Sequence, residues 1–398
     1  MPTSSWRGSA PTPATTTDRS VHCADDASAL YLGLISGTSA DGIDAALVSF
    51  EQGVPQLRAA LTHPWPAPLR DRVLAVAQDL QPFDLDAFGR LDVAIGRHLA
   101  EAARQLLLSS KTPATAVRAI GSHGQTVRHR PDGATPFTLQ LGDATVIAEH
   151  CGIDVVADFR RADVAAGGQG APLLPAVHAM LLGRPGQARV VLNLGGIANI
   201  TVLGAAGEVL GFDTGPANGL LDAWCLQHVG EPFDRDGAFA AGGQPDAALL
   251  DALLADPYFA LAPPKSTGRE HFHLAWLARQ PRAAVLAPAD VQATLLELTA
   301  RSVSAAIAAH APDAGDVLVC GGGVHNPLLM QRLTESLAPR RVASTAVDGI
   351  DPDYLEATAF AWLARQRVLG LPGNLPAVTG ARGRRVLGAL YLAPRESS

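Results

Sequence analysis

Two stretches of the chain place small and polar residues where an apolar strand would be expected to continue. In LGLISGTSADGIDAALV, residues 32 to 48, aliphatic arms flank Gly37, Thr38, Ser39, Ala40, Asp41 and Gly42, with Ile43 and Asp44 resuming the run. In VVLNLGGIANITVL, residues 190 to 203, similar arms flank Gly195 and Gly196. A tight glycine turn points its backbone N–H groups inward as a concave donor set, which suits phosphate oxygens and leaves no place for side chains. Gly37 and Gly42 permit close approach, and Thr38 and Ser39 add hydroxyl donors. Asp41 or Asp44 offers a carboxylate to Mg2+, an ion that takes oxygen ligands and keeps several waters. The same letters also spell an ordinary Asp-Gly hairpin turn. LGG at 194 to 196 and CGGG at 320 to 323 can likewise be plain strand-end punctuation. No GxxxxGK[ST] occurs and no GxGxxG follows an expected strand, which excludes a P-loop and argues against a dinucleotide enzyme.

Candidate acid–base chemistry centres on Asp213 in GFDTGPANG, flanked by Gly211 and Gly215 at a strand end. A carboxylate there can accept a proton from an attacking hydroxyl or water. It can equally cap the helix that Pro216 would open. Asp163, in DFRRAD, competes for the same role. Arg160 and Arg161 beside it carry planar donor forks suited to a sugar oxygen or carboxylate, or form a solvated edge. His123 and Thr126, in GSHGQTV, suit substrate hydrogen bonding, and Glu356 lies early in a helix where a carboxylate also offsets the helix dipole. KSTGRE, 265 to 270, is a polar loop with no assigned purpose.

The elements that must position these residues alternate between strand and helix along the whole chain, which predicts an α/β architecture. Phe88, Leu91, Ile95, Leu99, Ala103 and Leu106 recur at helical spacing over residues 86 to 108. Strands are expected at Val117 to Ile120 and at 153 to 159, the latter running into the glycine-rich loop AAGGQGAP. Asp290 is expected to cap a helix, Asn326 and Pro327 to open another, and a last helix to run from Asp353 to about Leu369. The two strand-turn-strand units, some 160 residues apart, suggest two halves built on one plan.

Composition limits the function classes. The chain has 398 residues, enough for two domains, with 47% hydrophobic and 17% charged residues, as in a soluble globular protein. No apolar run reaches membrane-spanning length. A net charge of −7 and scattered arginines argue against nucleic acid. Cys23, Cys151, Cys225 and Cys320 form no CxxC pair, the usage of a reduced cytoplasmic protein without a thiolate zinc site. Residues 1 to 28, rich in Ser and Thr, read as a disordered tail without the basic start and apolar run of a signal peptide.

Taken together, GLISGTSADGID, GSHGQTV, DFRRADVAAGGQGAPLLPA, NLGGIANIT, GFDTGPANGLLDAW, PKSTGRE, DVQATLLELTA, VCGGGVHNPLL, EATAFAWLA and LPGNLPAVTGA resemble the 1,6-anhydro-N-acetylmuramic acid kinases, from about Tyr31 to Pro394. These kinases belong to the actin and sugar-kinase ATPase superfamily. The resemblance implies two related domains of that fold with a cleft between them: residues 29–155, then residues 156–398, from which the C-terminal segment can return to the first. It implies ATP phosphates held by Gly37 to Asp44 and by the turn at Gly195, with adenosine on the shelf around Gly322. It further implies Mg2+, Asp213 as catalytic base, and Thr126, Arg160 and Glu356 in the sugar pocket. The implied reaction opens the anhydro ring with water and phosphorylates the freed 6-oxygen, giving N-acetylmuramate 6-phosphate and ADP for cell-wall recycling by a cytoplasmic homodimer. Ala40 stands where the family commonly has a larger apolar residue. Another sugar kinase, a non-catalytic ATP-driven binding protein and an ATP-independent hydrolase are the rival readings.

Overall fold

The computed structural model describes residues 29–37, 40, 42–77, 84–268 and 271–395. Thr38, Ser39 and Asp41, together with the N-terminal tail and Cys23, lie outside the described residues. The first strands are β1 (Leu30–Ile35), β2 (Ile43–Glu51), β3 (Val54–His63) and β4 (Val117–Ser122), followed by a separate hairpin of β5 (Gln125–Arg130) and β6 (Phe137–Leu141). After these come β7 (Val155–Ala157), β8 (Arg189–Leu194), β9 (Ile197–Leu203), β10 (Val209–Pro216), β11 (Asp316–Cys320), β12 (Arg341–Ser344) and β13 (Ala389–Tyr391).

Two sheets organise the molecule. The first runs β13-β7-β4-β1-β2-β3 and the second β10-β9-β8-β11-β12. Read from β3 and from β10, the orders β3-β2-β1-β4-β7 and β10-β9-β8-β11-β12 correspond strand for strand. In both, the first three strands pair antiparallel and the last three parallel. The two-halves expectation therefore holds at the level of topology. The glycine turn between β1 and β2 occupies the same place as that between β8 and β9.

Alternation along each strand feeds two cores per sheet. Leu32 and Leu34 of β1 pack with Leu91, Ile95, Leu99 and Leu106 of the Leu85–Ser109 helix. Tyr31 and Ile35 share the opposite core with Ala357, Phe360 and Ala364 of the Leu355–Val368 helix. That helix joins the halves: its first residue, Leu355, packs with Val191 and Leu318 of the second sheet, while the rest lies on the first. The contact with the first sheet is backbone to backbone. A Cβ on Gly33 would sit 1.8 Å from the carbonyl oxygen of Ala357, and one on Gly121 would sit 2.1 Å from that of Phe360.

Several local expectations need correction. The strand expected over 153 to 159 is confined to Val155–Ala157. Asp290 does not cap its helix. Pro288 opens that helix at Pro288–His310, and the Asp290 carboxylate instead accepts from the Gln244 N–H at 2.8 Å. Pro216 ends β10 rather than starting a helix, which begins at Asn218. The Asn326 cap is present, its side chain accepting from the Leu329 N–H. Cys151, Cys225 and Cys320 are buried free thiols, and no described helix is long and apolar enough to cross a membrane.

Candidate active site

The turn between β1 and β2 is tied down at its described ends. The Gly37 carbonyl accepts from the Ala40 N–H at 3.1 Å and from Gln125 Nε2 at 3.1 Å, and the Ala40 carbonyl accepts from Arg70 Nε at 2.9 Å. Ala40 is fully buried with φ of +49°, a left-handed conformation that a larger side chain would occupy at greater cost. Asp44, at the start of β2, accepts from Thr62 Oγ1 at 2.7 Å.

The second turn packs against the other two glycine-bearing segments. N–H groups of Ala217, Asn218 and Gly219 donate to the carbonyls of Gly195 and Gly196, and Asn218 Nδ2 donates to the Leu194 carbonyl at 2.8 Å. These turn carbonyls satisfy the start of the Asn218–Val229 helix, so Asp213 does not serve as its cap. Within CGGG, Gly321 and Gly323 are constrained: Gly321 has φ of +79° and a Cβ there would lie 2.3 Å from Asn193 Oδ1, while one on Gly323 would lie 2.5 Å from Leu194 Cβ. Gly322 has room, with its nearest neighbour, Asn218 Nδ2, at 3.8 Å.

Glu356 is bound beside the second turn and senses charge from the first. It accepts from Asn193 Nδ2 at 3.0 Å, two residues before the second turn. Its carboxyl is held above the usual range by burial first and then by the Asp44 charge from the first turn, with Arg160 opposing. Arg160 in turn donates through Nε to His123 Nε2 at 3.0 Å and through Nη1 to the Gly170 carbonyl at 2.8 Å. Burial lowers its guanidinium to about 10, while Glu356 and Asp163 pull it back up. His123 places Nδ1 3.0 Å from the Gly124 carbonyl, so the proton sits on Nδ1 and Nε2 accepts from Arg160. The ring is kept neutral by burial and by the neighbouring guanidinium. Thr126 lies in β5, its hydroxyl accepting from Gln140 Nε2 at 3.2 Å.

Asp213 is positioned by a different segment. It lies inside β10 rather than after it, half-buried, where the ladder to β9 shifts register between Asp213 and Gly215. A bulge of this kind re-aims a side chain out of the regular alternation. Its N–H donates to the Lys265 carbonyl at 3.3 Å, its carbonyl accepts from the Tyr258 hydroxyl at 2.7 Å, and its Oδ2 accepts from the Thr267 N–H at 2.9 Å. The described part of KSTGRE thus has a place: Lys265 and Thr267 bind Asp213.

Two sequence candidates fall away as site residues. Asp163 is fully buried and spends its carboxylate on Asn374 Nδ2 at 2.7 Å, Thr379 Oγ1 at 2.8 Å and the Gly170 N–H at 2.8 Å. It binds the glycine-rich loop to the C-terminal segment and has no path to a sugar. Asp163→Ala strands those donors and is expected to cost roughly 3–5 kcal/mol, read as a lower denaturant midpoint at unchanged slope. Arg161 faces outward onto Asp158, at 3.0 Å. Sequence reasoning missed Asn193 and Gln125. The only signal for either was proximity to a glycine turn.

Three imidazoles, two buried and one half-buried, give the fold an acid limit. Burial holds His178 near 3, burial and then Arg160 hold His129 near 4, and His123 is also well depressed. A depressed histidine contributes stability that is complete above its unfolded value of about 6.5 and lost as pH falls toward the folded value. Unfolding free energy should therefore decline from pH 6.5 to 4. Removing one imidazole, as in His178→Asn, should flatten that slope by up to about 1.4 kcal/mol per pH unit, measured by denaturant titration across the range.

The profile of the family described as anhydro-N-acetylmuramic acid kinase matches residues 29–393. The chain belongs to the anhydro-N-acetylmuramic acid kinase family. As a member of the anhydro-N-acetylmuramic acid kinase family it is an enzyme and a kinase. An anhydro-N-acetylmuramic acid kinase of Xanthomonas campestris pv. campestris strain 8004 is 58% identical over 369 residues, covering 92% of this chain and 98% of that protein. Proteins of the same name from Xylella fastidiosa and Coxiella burnetii are 54% and 48% identical, covering 94% and 91% of this chain and 98% and 97% of theirs. Among solved structures, the activator of the 2-hydroxyisocaproyl-CoA dehydratase from Clostridium difficile superposes with a TM-score of 0.43 at 11% identity, covering 84% of this chain and 94% of that one. That likeness is too distant to carry an assignment.

Proposed function

We propose that the enzyme is an ATP-dependent kinase that opens the internal ether of 1,6-anhydro-N-acetylmuramic acid with water and phosphorylates O6, in the recycling of peptidoglycan. The observation that carries this reading is a pair of glycine turns at topologically equivalent places in the two sheets, with Glu356 bound to Asn193 beside the second turn and sensing the charge of Asp44 beside the first. ATP phosphates would lie against Gly37 to Asp44 and against Gly195, with adenosine near Gly322. Thr126, Arg160 and Glu356 would face the sugar. One domain would comprise residues 29–155 continued through β7 and joined by the returning C-terminal segment, and the other the second sheet with its helices, on the actin and sugar-kinase plan.

In this reading, Asp213 takes a proton from the water that attacks the anomeric carbon. The C1–O6 bond breaks, its electron pair stays on O6, and O6 attacks the γ-phosphorus as the bond to ADP breaks. Water, sugar and ATP then balance N-acetylmuramate 6-phosphate, ADP and one proton. A carboxylate activating water on the face opposite the leaving oxygen is the arrangement of inverting glycoside hydrolysis. Arg160 is pre-formed for a substrate oxygen because His123 and Gly170 already fix its fork. Among the described residues no cluster of three or more His, Cys, Asp or Glu is present. Mg2+ needs only one or two carboxylates beside a nucleotide, so Asp44, at the end of the first turn, fits. Bound there, the ion would neutralise phosphate charge.

Incubating enzyme, anhydro sugar and γ-labelled ATP tests the proposal: label should move to a sugar gaining one water and one phosphoryl group. Label in free phosphate alone, or ring opening without ATP, would reject it. Action in the cytoplasm as a homodimer belongs to the same reading, and a sedimentation mass near 41.2 kDa rather than twice that value would remove the dimer.

A further inference from the structure

Lys265 has no part in the chemistry above, yet its whole environment turns on Asp213. Its carbonyl accepts the Asp213 N–H, and two residues on, the Thr267 N–H holds Asp213 Oδ2. Its ammonium is anchored at the same place: Nζ donates to the Tyr258 carbonyl at 3.1 Å and lies 4.6 Å from the centre of the Tyr258 ring and 5.9 Å from that of Phe212. Tyr258 closes the circuit by donating its hydroxyl to the Asp213 carbonyl.

This platform is stiff. Tyr258 meets Phe272 edge-on at 5.6 Å, Phe272 meets Trp276 at 4.9 Å, and Asp256 accepts from both the Tyr258 N–H and Trp276 Nε1. A flexible four-carbon stem would ordinarily carry its charge into water. Here two aromatic faces and a carbonyl hold it over Tyr258, the residue whose hydroxyl binds the Asp213 backbone, at a cost in rotamer freedom that surface solvation would not require.

We propose that Lys265 is a positioning residue for Asp213: the 265–267 segment clamps the carboxylate while the Lys265 ammonium, seated on Tyr258, supplies the positive charge beside which Asp213 works as a base. The inference rests on the reading of Asp213 as the base. The two groups feel each other: burial lowers the Lys265 ammonium and Asp213 raises it, while burial and then Asp213 hold the Tyr258 hydroxyl above its usual range. Among the described residues, the elements packed around Asp213 also carry His271, stacked on Phe272 and paired with Asp256; His310, edge-on to Phe212 at 5.0 Å; Asp290, Glu297 and Arg301 on the helix of His310; and His178, bound to Thr201.

The test is the pH profile of kcat for the sugar in Lys265→Met, Lys265→Gln and Lys265→Arg. An opposite charge within about 4–6 Å favours the ionised carboxylate by one or more units. Loss of the charge should move the acidic limb of kcat up by about one pH unit in Met and Gln, and Arg should restore it. Tyr258→Phe, which removes a hydrogen bond but no charge, should lower the melting temperature and leave the limb in place. An unmoved limb in both neutral variants overturns the inference, whatever happens to the rate or to stability. So does a raised KM for the sugar with unmoved limbs, which would make Lys265 a contact for the substrate carboxylate. Asp213→Asn separates the two readings. If it turns over normally, the base assignment itself fails; if it is dead and the Lys265 limbs do not move, only this inference fails.

Discussion

Asp213→Asn should lose sugar phosphorylation by about 10²–10⁴-fold while nucleotide binding stays at the wild-type level. The range is that of a positioned general base. The substitution isolates the chemistry because it leaves the scaffold alone: the backbone bonds to Tyr258 and Lys265 do not involve the side chain, and an amide oxygen can still accept the Thr267 N–H. Single-turnover transfer of labelled phosphate gives the rate, and calorimetric titration with a non-hydrolysable ATP analogue gives the affinity. In the proposed reaction attack by water and breaking of the C1–O6 ether precede phosphorylation, so neither ring-opened sugar nor phosphorylated sugar should accumulate. Ring-opened, unphosphorylated sugar in the variant would mean that some other group activates the water. A variant of wild-type rate would remove Asp213 from the mechanism.

What the sequence made legible was local. The strand-turn-strand units are written in contiguous residues, so the strands on either side of 37 to 42 and of the turn at 195 to 196 emerge where expected, and the Leu85–Ser109 helix follows from its apolar spacing. That Asp163 is no candidate base was not legible, since it stands like Asp213 among small and polar residues after an expected strand. It is excluded by residues more than 200 positions away, Asn374 and Thr379, which consume its carboxylate. Asn193 and Glu356 are likewise 163 positions apart in sequence and 3.0 Å apart in space. Neither periodicity nor spacing encodes such a pair. Capping was misjudged at Asp290 for a related reason: a proline at the first helical position already fixed the start, which freed the carboxylate for a tertiary bond. The KSTGRE loop was visible as polar but not as purposeful, because its partners lie on β10 and on the short helix at Pro257–Ala260.

Gly33→Ala is expected to be the most damaging single methyl group in the chain. The added Cβ would meet the Ala357 carbonyl oxygen at 1.8 Å and the Ala361 nitrogen at 2.7 Å, and neither backbone atom can rotate away as a side chain could. Relief requires lifting the Leu355–Val368 helix off the sheet by more than an ångström, which also opens the core it shares with Tyr31, Ile35 and Phe159. Overpacking a core costs about 1–3 kcal/mol where side chains can yield, so a clash against two backbone atoms should exceed about 3 kcal/mol. Glu356 adjoins Ala357, so any protein that still folds should also lose the Asn193 contact and with it activity. Gly89→Ala provides the control: it sits in the Leu85–Ser109 helix with nothing within 4 Å of the new Cβ, and should stabilise by about 0.5–1 kcal/mol. Soluble yield, melting temperature and phosphorylation rate measured on both variants decide the matter. A folded, active Gly33→Ala would mean that the helix does not lie on β1 at backbone contact.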